Sequence, residues 1–358
     1  MGLKPLLNLA GHRLHSLPLV VLYLTDGCNS RCVTCDIWRS PRRNMRMELV
    51  EQVASAFQDL QVRWVLLSGG EAMQHPHWPQ IARRFRDEGA RVMLLTNGLL
   101  LRKQAADVLA SVDEVIVSLD GGTAETYAAI RGVDAFDLLL DGIRAVRAGG
   151  LPVTTRTTVQ RANYHEIPRI IEVAKAADVN VISFLSVDVS SEIAFGPRFT
   201  PDPALQVDGM AAALPAPQHP PTSTALAADD LPQFARVLDD VEARFASDFA
   251  SGRIAESPQK LRRMVQYFGA VLGEDDFPRP RCNAPHFSTV IEVDGRLRPC
   301  YFLPEYGKLE TTAQASLAVS INMDTAQALR RAYRSGQRPE CERCVCPLYK
   351  GPRALMRL

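Results

Sequence analysis

Eight cysteines fall into two groups, and both groups have spacings that suit metal chemistry. Cys28, Cys32 and Cys35 stand in the run Cys28-Asn-Ser-Arg-Cys32-Val-Thr-Cys35, whereas Cys282, Cys300, Cys341, Cys344 and Cys346 all lie in the last quarter of the 358-residue chain. In a cytosolic chain of this size, clustered thiols serve metal binding or catalysis more often than disulfides. Three closely spaced thiolates can hold three irons of a four-iron cluster and leave the fourth iron open to a small molecule. Structural zinc is the competing reading of the first group. It wants a closed set of four ligands, and no fourth Cys or His lies within ten residues of the loop. In the second group, Cys282, Cys300 and the pair Cys341-Glu-Arg-Cys344 supply four thiolates, a closed set that fits an iron-sulfur cluster or a four-cysteine zinc knuckle. Cys346 is then a spare thiol, an alternative ligand or a substrate-facing group.

The CxxxCxxC loop directly follows an apolar β-type run, and Ser68-Gly69-Gly70-Glu71 directly follows the next such run, Trp64 to Leu67. Together they resemble the radical S-adenosylmethionine (SAM) superfamily. The resemblance implies an enzyme in which Cys28, Cys32 and Cys35 hold a 4Fe-4S cluster whose open iron is chelated by SAM. One electron passes to the sulfonium, and the resulting 5′-deoxyadenosyl radical abstracts hydrogen from an unactivated carbon. It also implies that the backbone of Gly69 and Gly70 approaches SAM, since glycine has no Cβ, and that Glu71 accepts from its ammonium group. Asn97, in Thr96-Asn97-Gly98, and Ser118 and Asp120, in Ser118-Leu119-Asp120-Gly121, fall where related barrels contact the cofactor. Ser118 and Asp120 could bond SAM's ribose or the substrate, or cap the following helices. Arg156 could grip SAM's carboxylate as a bidentate fork or form a surface ion pair. Where the family often has an aromatic residue before the third cysteine, this chain has Thr34, with Trp38 close by.

The C-terminal spacing of Cys282, twelve residues, Gly295, four residues, Cys300 and a later CxxC resembles the twitch domain, the shorter relative of the SPASM domain. That resemblance implies one auxiliary cluster on Cys282, Cys300, Cys341 and Cys344, and so two 4Fe-4S clusters in all. A reducing partner such as flavodoxin or ferredoxin is implied as well.

Both groups need elements to position them. β-Branched or leucine-rich runs at Leu17 to Leu24, Trp64 to Leu67, Arg91 to Leu95, Glu114 to Ser118, Val153 to Val159 and Val181 to Leu185 alternate with helical patterns, among them Glu48 to Phe57, Trp78 to Glu88, Thr123 to Ala129, Ala135 to Ala148 and Tyr164 to Ala176. This alternation predicts an α/β fold with a parallel sheet, a partial TIM-like (βα)6 barrel with the first thiol loop at its C-terminal mouth. Residues 1–16 read as an N-terminal extension, 17–195 as the barrel, and 196–230, rich in Pro and Ala, as a mobile loop or linker whose deletion would test a lid. Helices over Leu231 to Ser247 and Ser257 to Leu272 make 231–275 a link. Residues 276–358 then form a small auxiliary domain, with strands Phe287 to Val293 and Arg296 to Tyr301 joined at Asp294-Gly295.

Lys and Arg, 41, balance Asp and Glu, 40, so no global field would hold a nucleic acid or an anionic membrane surface. The apolar run at Leu17 to Leu24 is too short to span a bilayer, which points to a cytoplasmic protein without a membrane span. His75 and His77 could be a metal pair but sit in a helix lead-in, and His286 could tune or ligate the auxiliary cluster. The four arginines between Arg39 and Arg46 could steer an anionic substrate. The expected function is a radical SAM oxidoreductase, dehydrogenase-like or a carbon-centred rearrangement, acting on a small molecule. A maturase of a ribosomally made peptide is the alternative, disfavoured by the roughly sixteen residues before the first strand. A non-catalytic iron-sulfur or zinc electron-transfer module is the reading from another class.

Overall fold

The computed structural model describes residues 4–191, 194–195, 224–310 and 316–351. Most of the Pro-rich stretch read as a linker, 196–223, therefore lies outside the described residues. Six strands arise where β-branched and leucine runs were expected: β1 (Leu19–Thr25), β2 (Trp64–Gly69), β3 (Arg91–Thr96), β4 (Glu114–Ser118), β5 (Val153–Val159) and β6 (Val181–Ser186). Each pairs in parallel with the next, as crossover helices require. One face of the sheet carries Val20, Leu22, Leu24, Val65, Leu67, Val92, Leu94, Val115 and Val117, all buried in a core shared with Leu49, Ile81, Phe85 and Ile143 of the covering helices. The alternate residues, among them Tyr23, Leu66, Ser118, Arg156 and Thr158, are only half-buried on the other face. That period of two makes one side a packed wall and leaves half-buried polar and apolar side chains on the other.

Helix ends follow local chemistry. Thr123 caps Ala124–Arg131 by accepting from the Thr126 N–H, and Gly132, at φ +67°, closes its other end. The pattern expected as one helix over Tyr164 to Ala176 opens as a short 3-10 turn, Tyr164–Glu166, before the helix Ile167–Ala176, in which Pro168 occupies the first turn where a missing N–H costs nothing. The helix expected over Glu48 to Phe57 stops at Ala54, and a second short turn, Phe57–Leu60, ends at Gln61 in the left-handed region.

The C-terminal hairpin does not stand apart as a separate module. β7 (Ser288–Ile291) pairs in parallel with β1, and β8 (Arg296–Arg298) and β9 (Gly307–Lys308) add antiparallel strands, giving one nine-stranded sheet ordered β6-β5-β4-β3-β2-β1-β7-β8-β9. The reason is edge protection: without β7, the apolar β1 would leave its backbone groups unpaired. All four residues of β7 are buried, as in a strand covered on both faces. Both hairpin strands are shorter than expected. The turn at Glu292 to Gly295 takes up one end, with Gly295 at φ +89°, and Pro299, which has no N–H, stops β8 one residue before Cys300.

Asn8, on the N-terminal helix Lys4–Ala10, ties that helix to the segment that leads into β7. Its Nδ2 donates to the Ser16 and His286 carbonyls, and its Oδ1 accepts from the His15 N–H. Asn8→Ala leaves these buried groups unpaired and should lower unfolding stability by about 1–3 kcal/mol, read from the urea midpoint.

Candidate functional site

Between β1 and Ile37 the chain has almost no regular structure of its own, so the first thiol loop takes its shape from its neighbours. On one side it meets the turn that ends β2. The Gly70 N–H donates to the Thr25 carbonyl at 2.7 Å and the Glu71 N–H to the Gly27 carbonyl at 2.8 Å. A Cβ on Gly69, at φ +128°, would lie 2.4 Å from the Thr25 oxygen, and one on Gly70 would lie 2.4 Å from the Gly27 oxygen. Only glycine permits this approach. On the other side the loop rests on the C-terminal end of Ala124–Arg131, where the Arg31 N–H donates to the Arg131 carbonyl and the Val33 N–H to the Ile130 carbonyl, both at 3.0 Å.

Glu71 is 1% exposed, and burial pushes its carboxyl above the usual carboxylate range. Its oxygens accept from the Met73 N–H, the Thr96 hydroxyl and the Asn97 N–H, at 3.1, 2.9 and 2.7 Å. Asn97 carries the link back to the loop, its Nδ2 donating to Asn29 Oδ1 and Ser30 Oγ and lying 3.8 Å from Cys28 Sγ. Gly69, Gly70, Glu71 and Asn97 are thus brought together beneath the thiols. Ser118, the last residue of β4, sits in register opposite Arg156 in the middle of β5. The Arg156 Nε is buried with no hydrogen-bond partner among the described residues. Asp120 turns inward at 3% exposure: Oδ1 accepts from the Thr158 N–H at 2.7 Å, and Oδ2 pairs with Arg131 at 3.0 Å.

All eight cysteines are free thiols. Burial pushes Cys28 up to about 11 and raises Cys32, and each thiol lies within electrostatic reach of a carboxylate and of Arg131. In the C-terminal group, residues up to 64 positions apart converge: Cys282 feels Cys346, Cys300 feels Cys282 and Cys341, and Cys344 feels Cys346, Cys300 and Cys282. Burial, reinforced by the neighbouring thiols, pushes Cys300 and Cys341 up to about 12 and Cys344 higher still. The N–H of Ala284 points at Cys282 Sγ, and those of Phe302 and Leu303 at Cys300. Crowded sulfurs with backbone donors aimed at them suit a cationic cluster core, which binds thiols as thiolates and relieves their repulsion. Among the described residues, no three Cys, His, Asp or Glu side chains are drawn together at the spacing of ligands around a single ion.

The remaining candidates are spent elsewhere. His75 is buried, its Nε2 bonded to the Met45 carbonyl and its Nδ1 accepting from the His77 N–H. His286 faces Arg334, Arg330 and His12 rather than the thiols, and burial, with those charges, holds its ring at about 4. Two of the arginines after Cys35, Arg39 and Arg43, are held in ion pairs. Arg39 bonds Asp36, Arg42 the Gln74 carbonyl, and Arg43 both Asp26 and Asp294, so it ties the thiol loop to the hairpin. Sequence reasoning missed Arg131, which no spacing marks, and the contact of Tyr23 with Tyr301, whose ring centroids are 6.0 Å apart between the two thiol groups.

Residues 22–174 match the protein family described as Radical SAM superfamily. The AdoMet-dependent heme synthase of Methanosarcina barkeri is 36% identical over 167 residues, 44% of this chain and 47% of that enzyme. A probable GTP 3′,8-cyclase of Saccharolobus islandicus is 34% identical over 169 residues, 46% of this chain and 55% of its own. The chain thus spans about half the length of the curated relatives it matches. Streptococcus suis SuiB bound to S-adenosylmethionine superposes on 95% of this chain and 75% of its own, with a TM-score of 0.62 and 15% identity. Native anSMEcpe with bound AdoMet and Cp18Cys peptide covers 87% of this chain and 82% of its own, with a TM-score of 0.59 and 16% identity. These two likenesses are of fold.

Because Gly70 has no room for a side chain, Gly70→Ala should cost about 1–3 kcal/mol and free the thiol loop. The expected readouts are a lower urea midpoint and faster alkylation of Cys28 in the metal-free protein.

Proposed function

From a barrel that over residues 22–174 belongs to the radical SAM superfamily, we propose that this chain is an oxidoreductase that cleaves SAM reductively and takes hydrogen from a small-molecule substrate. The carrying observation is the docking of the Cys28–Cys35 loop onto the Gly69–Gly70–Glu71 turn by two backbone hydrogen bonds. Cys28, Cys32 and Cys35 would hold the cluster, which when bound would supply the one electron needed for reductive cleavage of SAM. The protein's own share is orientation and exclusion of water. Gly69 and Gly70 offer backbone without side-chain bulk, and Asn97 fixes the loop beside Cys28. Ser118 and Arg156, whose Nε has no hydrogen-bond partner among the described residues, lie opposite one another on adjacent strands, with Arg156 suited to a carboxylate. Asp120 serves this site through Arg131 in our reading.

Residues 276–358 act as an auxiliary domain, with Cys282, Cys300, Cys341 and Cys344 holding a second 4Fe-4S cluster and Cys346 a fifth thiol near Tyr301. A cluster held there would supply an electron acceptor for a dehydrogenase-like outcome, or a binding point for the substrate in a rearrangement. Flavodoxin or ferredoxin supplies the reducing electron, and a cytoplasmic setting suits eight free thiols. The heme synthase and GTP cyclase relatives support a small-molecule substrate by their names. One observation favours a peptide instead: SuiB bound to precursor peptide SuiA shares the fold over 97% of this chain.

Anaerobically reconstituted and reduced protein should release 5′-deoxyadenosine from SAM. Deuterated small metabolites and deuterated peptides then separate the two readings, because the true substrate class carries deuterium into 5′-deoxyadenosine. Label arriving only from peptides would overturn the small-molecule assignment, and no 5′-deoxyadenosine at all would overturn the enzyme.

A further inference from the structure

Arg131 is the last residue of the helix on which the first thiol loop rests. Its backbone carbonyl accepts from the Arg31 N–H, inside the Cys28 to Cys35 loop, while its side chain turns into the same space. There the guanidinium pairs with Asp120 at 3.0 Å, with the two side chains 12% and 4% exposed. Its Nε is buried without a hydrogen-bond partner among the described residues. The groups facing it are Cys32, Asp120 and Tyr127, and its charge reaches Cys28 and Glu71 as well.

Asp120 is held just as firmly. Its second oxygen accepts from the Thr158 N–H and its carbonyl from Asn163 Nδ2 at 2.9 Å, which fixes the carboxylate and through it the guanidinium. One carboxylate beside one guanidinium would be a closed ion pair if nothing else were charged nearby. A cluster held by Cys28, Cys32 and Cys35 would add negative charge within reach of Arg131, which already faces Cys32 and reaches Cys28, and its reduction would add one more. A fixed cation in a poorly solvated site stabilises the reduced form over the oxidised one.

We propose that Arg131 is the charge that sets the reduction potential of the cluster on Cys28, Cys32 and Cys35, and that Asp120 is the positioning residue that aims it. This rests on the reading that those three thiols hold a four-iron cluster. Iron content and the EPR signal of the reduced wild type, identified by its change on adding SAM, test that reading first. A wild type without the signal therefore fails the cluster assignment and leaves the role of Arg131 to fall with it, whereas a wild type with the signal isolates the new claim.

The experiment is an EPR-monitored redox titration of the full-length protein carrying R131M or R131K. Neutralising the charge in R131M should lower the midpoint potential by roughly 59 mV, a tenfold shift in the one-electron equilibrium. R131K, which keeps the charge, should stay near the wild-type value. An R131M protein with full iron and an unchanged midpoint overturns the proposal, as does an R131K midpoint that falls as far as that of R131M. Should R131M take up no iron, R131Q, which can still bond Asp120, carries the same test. If neither neutral variant loads iron, R131K loading at the wild-type potential supports the charge role, and its failure to load marks Arg131 as structural and overturns it.

Discussion

The thiol loop after β1 cannot hold its own shape, and the fold solves this by pressing backbone against backbone. Gly69 and Gly70 bring the end of β2 so close to Thr25 and Gly27 that their missing side chains become a structural requirement, and two N–H donors lock the contact. Everything around the site is arranged from that contact. Glu71 leaves the turn pointing at the end of β3, Asn97 answers from there toward Cys28, and the helix Ala124–Arg131 closes the far side with its terminal carbonyls. Parallel strands all ending at the same rim make this convergence cheap, because neighbouring strand ends are already adjacent in space.

The same strand, β1, also organises the second group of thiols. By pairing with β7 it draws the hairpin onto the barrel sheet, so Cys300 follows a strand two places from the one that precedes Cys28. Tyr23 and Tyr301 meet across that junction, and Arg43 braces it from the rim through Asp26 and Asp294. Most of the exposed pairs on the surface contribute little, but this one connects the two parts of the candidate site.

Much of this was legible in the sequence because the relevant signals are local. β-Branched or leucine-rich runs marked all six barrel strands, with β4 and β5 matching their expected bounds to the residue, since β-branched side chains suit a pleated surface buried on alternate positions. Gly-Gly-Glu beside a three-cysteine loop was readable for the same reason. What sequence could not carry was direction and partnership. Asp120 sat on the rim as expected, yet nothing in Ser118-Leu119-Asp120-Gly121 says that its carboxylate turns inward to Arg131, eleven residues on. The hairpin was recognised, but its junction with β1 pairs residues more than 260 positions apart and leaves no local trace. His286 looked like a neighbour of Cys282 by number, and its ring faces the arginines of a later helix instead.

The central claim is that two separate thiol sets hold two separate clusters, and iron counting addresses it most directly. Iron per chain should be measured after anaerobic reconstitution in the wild type and in a variant with Cys28, Cys32 and Cys35 all changed to Ala. About eight irons falling to about four, with the variant still folded, is the expected result. Four irons in the wild type, all lost in the variant, would contradict it and leave the C-terminal thiols without a cluster.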